Sequence, residues 1–434
     1  MSGRVVAFLA GRIRGRGPRP AAAALVVIAT LLLAASAARA ATDSCLDCHR
    51  ALDDPRLKAP AEGFPRDIHS ERGFTCAACH GGDPSDPDVS AMDPDQGFKG
   101  APTRNQVAPL CAGCHANAEF MKHYNPRPYI FSLAEWKTSV HCKLESLGDQ
   151  KVATCTGCHG VHGIRPHNDP ASPIYPTNVP RTCARCHNPE YMKGRATRAD
   201  EYALYVRSVH GVALLEKGDV SAPACNDCHG NHGAAPPGLK DVTMVCGTCH
   251  GREADLFDGS RMKAAMDLEG KRGCVTCHGN HGVKPPTDAM LSTGPGGTCA
   301  GCHEPGSAAE RDTRAIIAGF GGLKHSLAGA DSLLKLAEVR GMEASLGRES
   351  LKDAQDRLVA VRAGLHSFDP KKIGAALGEG ASVAAKAAGY GREALRDWRN
   401  RRLGTAASLV VILLLMGLLV ARIRAAEAKP ESRH

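Results

Sequence analysis

The sequence predicts an all-α molecule in three parts. Short α-helices and mostly irregular chain occupy residues 41–305, an α-helical domain follows over 306–402, and one C-terminal transmembrane helix covers 403–421. Three observations lead there. Cysteine recurs at a fixed spacing through the first part and is absent from the rest. Leucine, alanine and charge then take on a helical period, and the run from Leu403 to Ala421 carries no charged residue.

In chain order, the leader comes first. Arg4, Arg12, Arg14, Arg16 and Arg19 precede an apolar stretch from Ala21 to Ala35, and Ala38-Arg39-Ala40 offers a small-x-small cleavage site. That layout predicts a secretory signal peptide over 1–40, with an uncleaved N-terminal anchor as the other reading. Removing its six arginines brings the formal net charge of +9 down to about +3. A basic pI of that origin gives no ground for nucleic-acid binding.

The first part is organised by one spelling. Of 19 cysteines, 18 fall into nine C-x-x-C-H units. In order these are Cys45, Cys48 and His49; Cys76, Cys79 and His80; Cys111, Cys114 and His115; Cys155, Cys158 and His159; Cys183, Cys186 and His187; Cys225, Cys228 and His229; Cys246, Cys249 and His250; Cys274, Cys277 and His278; and Cys299, Cys302 and His303. Two thiols at this spacing can add to the two vinyl groups of one porphyrin, and the adjacent histidine then reaches the iron as proximal ligand. Zinc uses the same residue types but does not explain a histidine after every second cysteine, and a disulfide framework explains it no better. The motifs therefore predict nine covalently attached haems c. About 29 residues per haem is too little chain for an apolar core around each. The expected fold is accordingly irregular chain and short α-helices wrapped around a haem array, the haems themselves forming the core.

Internal repeats run through this region. Cys155-Thr-Gly-Cys158-His159-Gly-Val-His162-Gly is matched at Cys225 (ending Gly-Asn-His232-Gly) and at Cys274 (ending Gly-Asn-His281-Gly). Each copy is followed by a second C-x-x-C-H, and the first two are preceded by Ser139-Val140-His141 and Ser208-Val209-His210. Here the sequence resembles the multihaem c-type cytochromes with doubled C-x-x-C-H motifs, the cytochrome c3-like and related families, over residues 45–303. The resemblance implies that further histidines serve as sixth ligands of low-spin, bis-histidine haems that carry electrons.

Twenty histidines less nine proximal ones leave His69, His123, His141, His162, His167, His210, His232, His281, His325, His366 and His434. His434 falls in the expected cytoplasmic tail, so ten remain for nine irons. His162, His232 and His281 lie three residues beyond a proximal histidine and cannot easily reach over the same porphyrin, so they are expected to cap a neighbouring one. Aligning Arg207-Ser208-Val209-His210 with Gly259-Ser260-Arg261-Met262 puts Met262 at the histidine position ahead of Cys274. There it is either a thioether ligand that raises the reduction potential or a packing residue beside Met266. Cys142 is the one cysteine outside a motif, open to three readings: a buried bystander, an intermolecular disulfide, or a sulfur ligand or nucleophile.

After Ser307 the texture changes. Leu351, Ala354, Leu358, Val361 and Leu365 alternate steps of three and four, the seam of helix packed on helix. Asp369-Pro370 reads as a helix start that can run into the apolar segment. Gly374, Gly378 and Gly380 either allow close helix approach or weaken that helix. The apolar run is close to the ~20 residues needed to span a bilayer. Flanking arginines on both sides leave its direction open by charge alone. Haem c is attached outside the bacterial cytoplasm, which places the haem domain in the periplasm, the span in the cytoplasmic membrane and residues 422–434 inside.

Three functions compete on these grounds. The first is a membrane-tethered electron carrier, linking a quinol-oxidising donor to redox protein partners, with oligomers an option. The second is a multihaem oxidoreductase of nitrogen or sulfur compounds, against which no C-x-x-C-K variant occurs. The third is a quinol dehydrogenase, for which no quinone pocket is legible.

Overall fold

The computed structural model describes residues 43–427 apart from 128, 129, 131, 132, 196–198, 237, 238, 240 and 241; the expected signal peptide and His434 lie outside the described residues. Every regular element among them is helical. The chain divides into two units, 1–134 with 141–175, and 135–140 with 176–434.

Across 43–303 the helices are short. Glycine and proline punctuate them, and few residues are buried in apolar contact, as expected of chain without an apolar core of its own. The small cluster of Val179, Tyr205, Leu214 and Ala224 is the main apolar nucleus of this region in the second unit.

Three long helices follow in the second unit: α1 (Ala308–Val339), α2 (Ser345–Gly364) and α3 (Pro370–Glu427). Ser307 caps α1 through the Glu310 amide. Their buried positions keep the alternating three-and-four step. Ile316, Phe320, Leu323, Leu327, Ala330 and Leu334 on α1 face Ile373, Leu377, Gly380, Ala384, Ala387 and Gly391 on α3, and Leu351, Ala354 and Val361 of α2 complete the seam. That 3.5-residue period is the coiled-coil pattern. Of the three glycines left open by sequence, Gly380 lies in the seam, where a Cβ would come within 3.0 Å of Leu323; Gly374 and Gly378 meet nothing and only loosen the helix. A Cβ on Gly391 would come within 2.9 Å of the Leu333 Cβ, so glycine there sets how closely α1 and α3 approach.

α3 does not stop where the bundle ends. It continues through Leu403–Ala421, and its apolar window has none of its surface buried in this chain. By length and composition it is the one described helix able to cross a membrane.

Candidate haem-binding sites

Four of the nine motifs share one local structure. Residues Ala77–His80, Cys155–His159, Cys225–His229 and Cys274–His278 each form one helical turn, which sets the two cysteines on the same side with the histidine after them. Each turn stops at a glycine: Gly81, Gly160, Gly230 and Gly279 have φ of 69°, 86°, 74° and 74°, with ψ near 180°. That region is essentially closed to residues with a Cβ. The glycine reverses the chain away from the first haem site and, in three copies, aims the next histidine elsewhere. The four turns make four repeats, one more than the sequence alone displays, because Asp83 stands where the other copies carry histidine.

The other motifs lack that glycine turn and take varied forms. Cys45, Cys48 and His49 all lie within the helix Ser44–Ala51, where Cys48 is exposed. Cys183 belongs to the helix Val179–Ala184, and Cys186 and His187 close a turn beyond it, their amides donating to the Cys183 carbonyl at 3.1 and 2.9 Å. Cys186 is half-buried. Neither Cys48 nor Cys186 is sealed inside the chain, as attachment of a sulfur to a porphyrin vinyl requires.

A second shared turn precedes each of the four glycine-ended motifs. A buried aromatic residue accepts a hydrogen bond through its carbonyl from the amide three residues on: Asp67 to Phe64, Ser139 to Trp136, Ser208 to Tyr205 and Ser260 to Phe257, all 2.9 Å. The donor residue is itself buried and begins a helical turn. Asp67 accepts from the His69 amide at 2.9 Å, Ser208 from Gly211 at 3.0 Å and Ser260 from Lys263 at 3.1 Å. Two residues past the cap come His69, His141, His210 and Met262. A pattern of aromatic residue, two residues, cap, one residue and a candidate ligand was present in the sequence, but only the buried hydrogen bonds single it out.

His80, His115, His229, His250 and His278 each face a second imidazole. Ring centroids are 5.9 Å apart for His69 and His115, 6.0 Å for His80 and His162, 6.3 Å for His210 and His250, 5.6 Å for His229 and His281, and 6.0 Å for His278 and His366. Two metal–imidazole bonds of about 2 Å each, plus the ring radii, put centroids roughly 6 Å apart. The His229 and His281 Nε2 atoms, at 3.3 Å, need part by less than about 1 Å to admit an iron. The residues therefore fit haem c, with the cysteine pair beside one imidazole and the second imidazole opposite. All the motif cysteines are unbridged. Among the described residues no three His, Cys, Asp or Glu side chains converge as a tetrahedral zinc site would need.

Several rings are held with Nδ1 engaged, which leaves Nε2 for a metal. His69 Nδ1 donates to Asp67 at 2.8 Å, His80 Nδ1 to the Gly100 carbonyl at 2.9 Å, and His366 Nδ1 to the Ala363 carbonyl at 3.0 Å. Asp67, which sequence reasoning missed, also accepts from the Gly163 and Ile164 amides, at 2.8 and 2.7 Å. One carboxylate thus positions His69 and the loop that carries His162. Burial pushes its pKa up, but the hydrogen bonds from His69, Ile164 and Gly163 outweigh burial and hold it below the usual range.

The remaining candidates separate. His141, His159, His187, His232 and Cys142 are each engaged in contacts of their own. His123 is exposed with Nδ1 on the Glu119 carbonyl, and His167 and His325 are exposed; among the described residues none of the three faces a proximal histidine. His366 sits on a 3-10 turn, where Phe368, at φ 49°, swings its ring against Phe257 and turns the chain into α3.

The motifs are strung in sequence order within each unit. In the first, Cys76 lies near Cys45, Cys79 near Cys111 and Cys114, and the Cys111 and Cys155 sulfurs share a hydrogen bond. In the second, Cys183 pairs with Cys225 and Cys246 with Cys274, while Cys228 lies near Cys249, and Cys277 near Cys299 and Cys302. The free thiol of Cys45 is pushed up to about 11 and that of Cys76 to about 12, by burial first, with the Asp43 carboxylate adding in both.

Two family models match this region. The model of outer membrane cytochrome MtrC/MtrF-like proteins, domains II/IV, matches residues 150–313, and the cytochrome c3 model matches 68–188. No curated protein and no solved structure matches the chain. Repeats, imidazole pairs and both matches agree on a class: the chain is a multihaem c-type cytochrome, built to hold covalent haem c and to transfer electrons.

Proposed function

We propose that the chain is a membrane-anchored wire of nine haems c, one on each C-x-x-C-H motif. It passes electrons through mainly bis-histidine irons between a quinol-linked donor and periplasmic or extracellular acceptors. The observation that carries this reading is the set of five imidazole pairs at iron-bridging separation. Haem c supplies a one-electron iron couple when bound. The chain's part is to occupy both axial positions, fix the rings through groups such as Asp67 and the Gly100 and Ala363 carbonyls, and keep consecutive sites within each unit adjacent.

The anchor is the apolar end of α3, lying in the cytoplasmic membrane with the haem units outside and residues 422–434 inside. Trp398, with Arg340 4.2 Å and Arg402 4.9 Å from its ring, sits just before the apolar run, a composition that suits the interface. His366 adjoins the start of α3, and from Pro370 to Leu403 the helix covers about 50 Å. The bundle is therefore a stalk between this haem site and the bilayer, which supports electron delivery by a redox partner over a quinone pocket in this chain.

Electron paramagnetic resonance on the fully oxidised protein, with spin quantified against haem, tests the reading. Low-spin signals for essentially all haems are expected. High-spin signal exceeding about one haem per chain would sink the wire. Among the described residues of its unit no imidazole faces His49, so a high-spin signal of one haem that is lost in His49→Ala would favour the oxidoreductase reading at that iron.

A further inference from the structure

Within each unit the facing imidazoles follow a rule. In the first and third repeats the residue two past the buried cap faces the second C-x-x-C-H histidine of its own repeat: His69 faces His115, and His210 faces His250. In the second and fourth repeats the histidine after the glycine turn instead faces the first motif of the preceding repeat: His162 faces His80, and His281 faces His229. In the last repeat the first motif is already matched, because His278 faces His366.

That leaves His303, the second motif of the last repeat. Among the described residues of its unit no imidazole faces it. The cap turn of this repeat carries Met262. Its geometry is that of the turns carrying histidine: Ser260, 7% exposed, takes its amide to the Phe257 carbonyl at 2.9 Å, its hydroxyl donates to the same carbonyl at 2.6 Å, and it accepts from Lys263. Ser208 does the same with Tyr205, at 2.9 and 2.7 Å. The packing role open to a methionine here is filled by Met266, which is 9% exposed, while Met262 stays half-buried. The motifs of Cys274 and Cys299 are neighbours.

We infer that Met262 is the sixth ligand of the ninth haem, the one whose proximal ligand is His303, and not of the haem on Cys274. This rests on the haem-wire reading and gives the wire a direction. A thioether opposite histidine raises the reduction potential relative to a second histidine. The last haem before the helical domain is thus the most oxidising site of its unit, where electrons collect or leave.

The test uses the full-length, haem-loaded protein. Haem content per chain is measured first, so that a shortfall from nine counts against the wire itself and not against the methionine. The oxidised wild type should show the near-infrared magnetic circular dichroism band of a sulfur-ligated low-spin ferric haem, at one haem per chain. Met262→His should abolish the band, keep every haem low-spin and move the highest component of a potentiometric titration downward. Met262→Ala should convert one haem to high-spin. His325→Ala, a control on the exposed histidine of α1, should change none of these signals. Absence of the sulfur band in the wild type, its survival in Met262→His, or loss of a low-spin haem in His325→Ala would each overturn the assignment.

Discussion

At the scale of single residues, two kinds of residue shape the sites without being among the candidate iron ligands. Glycine at the end of the motif turn is one. At Gly230 a Cβ would come within 2.7 Å of the Ala235 carbonyl, on a backbone at φ 74° that side chains rarely adopt. Asp67 is the other. It is 1% exposed and binds four donors, three of them backbone amides. Asp67→Ala leaves those donors buried and unpaired, which costs about 1–3 kcal/mol for each that water cannot reach. It also frees the His69 ring to rotate. We expect a lower melting temperature together with partial conversion of one haem, that of His115, to high-spin. Asp67→Asn should retain more of both, since its carbonyl can still accept. Melting curves and spin quantification on the two variants check this. Unchanged low-spin signal in Asp67→Ala would remove the positioning role.

At the scale of elements, the helical domain is stabilised by a small-residue seam and by a few ion pairs at its ends. Leu334 and Phe320 are fully buried, each contributing about 1.5–3 kcal/mol by burial alone. Arg348 joins the start of α2 to the end of α1, with hydrogen bonds to Asp331 and a forked pair to Glu338 at 2.7 and 2.6 Å. Those hydrogen bonds from Arg348 hold both carboxyls below their usual range. A carboxylate depressed in the folded state contributes stability that is complete above its ordinary value, near 4, and is lost as the pH falls through the folded value. The groups are solvent-accessible, so the effect is modest and weakens in salt. Thermal melts by circular dichroism should show Arg348→Met losing stability at neutral pH and converging on wild type under acid. Parallel curves at every pH would show that the pair contributes nothing.

At the scale of the whole molecule, α3 belongs both to the stalk and to the proposed anchor. One continuous helix carries seam residues up to Gly391 and then an apolar surface exposed on all sides from Leu403. In water such a surface would aggregate, whereas in a bilayer it is satisfied. A chain ended after Arg402 should therefore appear in the soluble periplasmic fraction with an unchanged haem-to-protein ratio, while the full chain sediments with membranes. Membrane retention of the shortened form would place the anchor elsewhere.

The sequence by itself determined the chemistry and the outline of the fold. A thioether-attached haem needs its cysteines and histidine within five consecutive residues, and a bundle seam or a bilayer span shows as a period or a run, so covalent neighbourhood alone carries these signals. The C-x-x-C-H motifs, the seam of Leu351, Ala354 and Val361, the start of α3 at Pro370 and its apolar end were legible for that reason. Which imidazole stands opposite which was not. His366 meets His278 from 88 residues away, and His162 meets His80 from 82, separations at which no local pattern specifies a partner. Nor does sequence rank Asp67 above the other aspartates, or separate Gly380 from Gly374, because burial and close approach come from packing. The tertiary structure decided these, since a pair of facing imidazoles is a juxtaposition in space that only the folded chain creates.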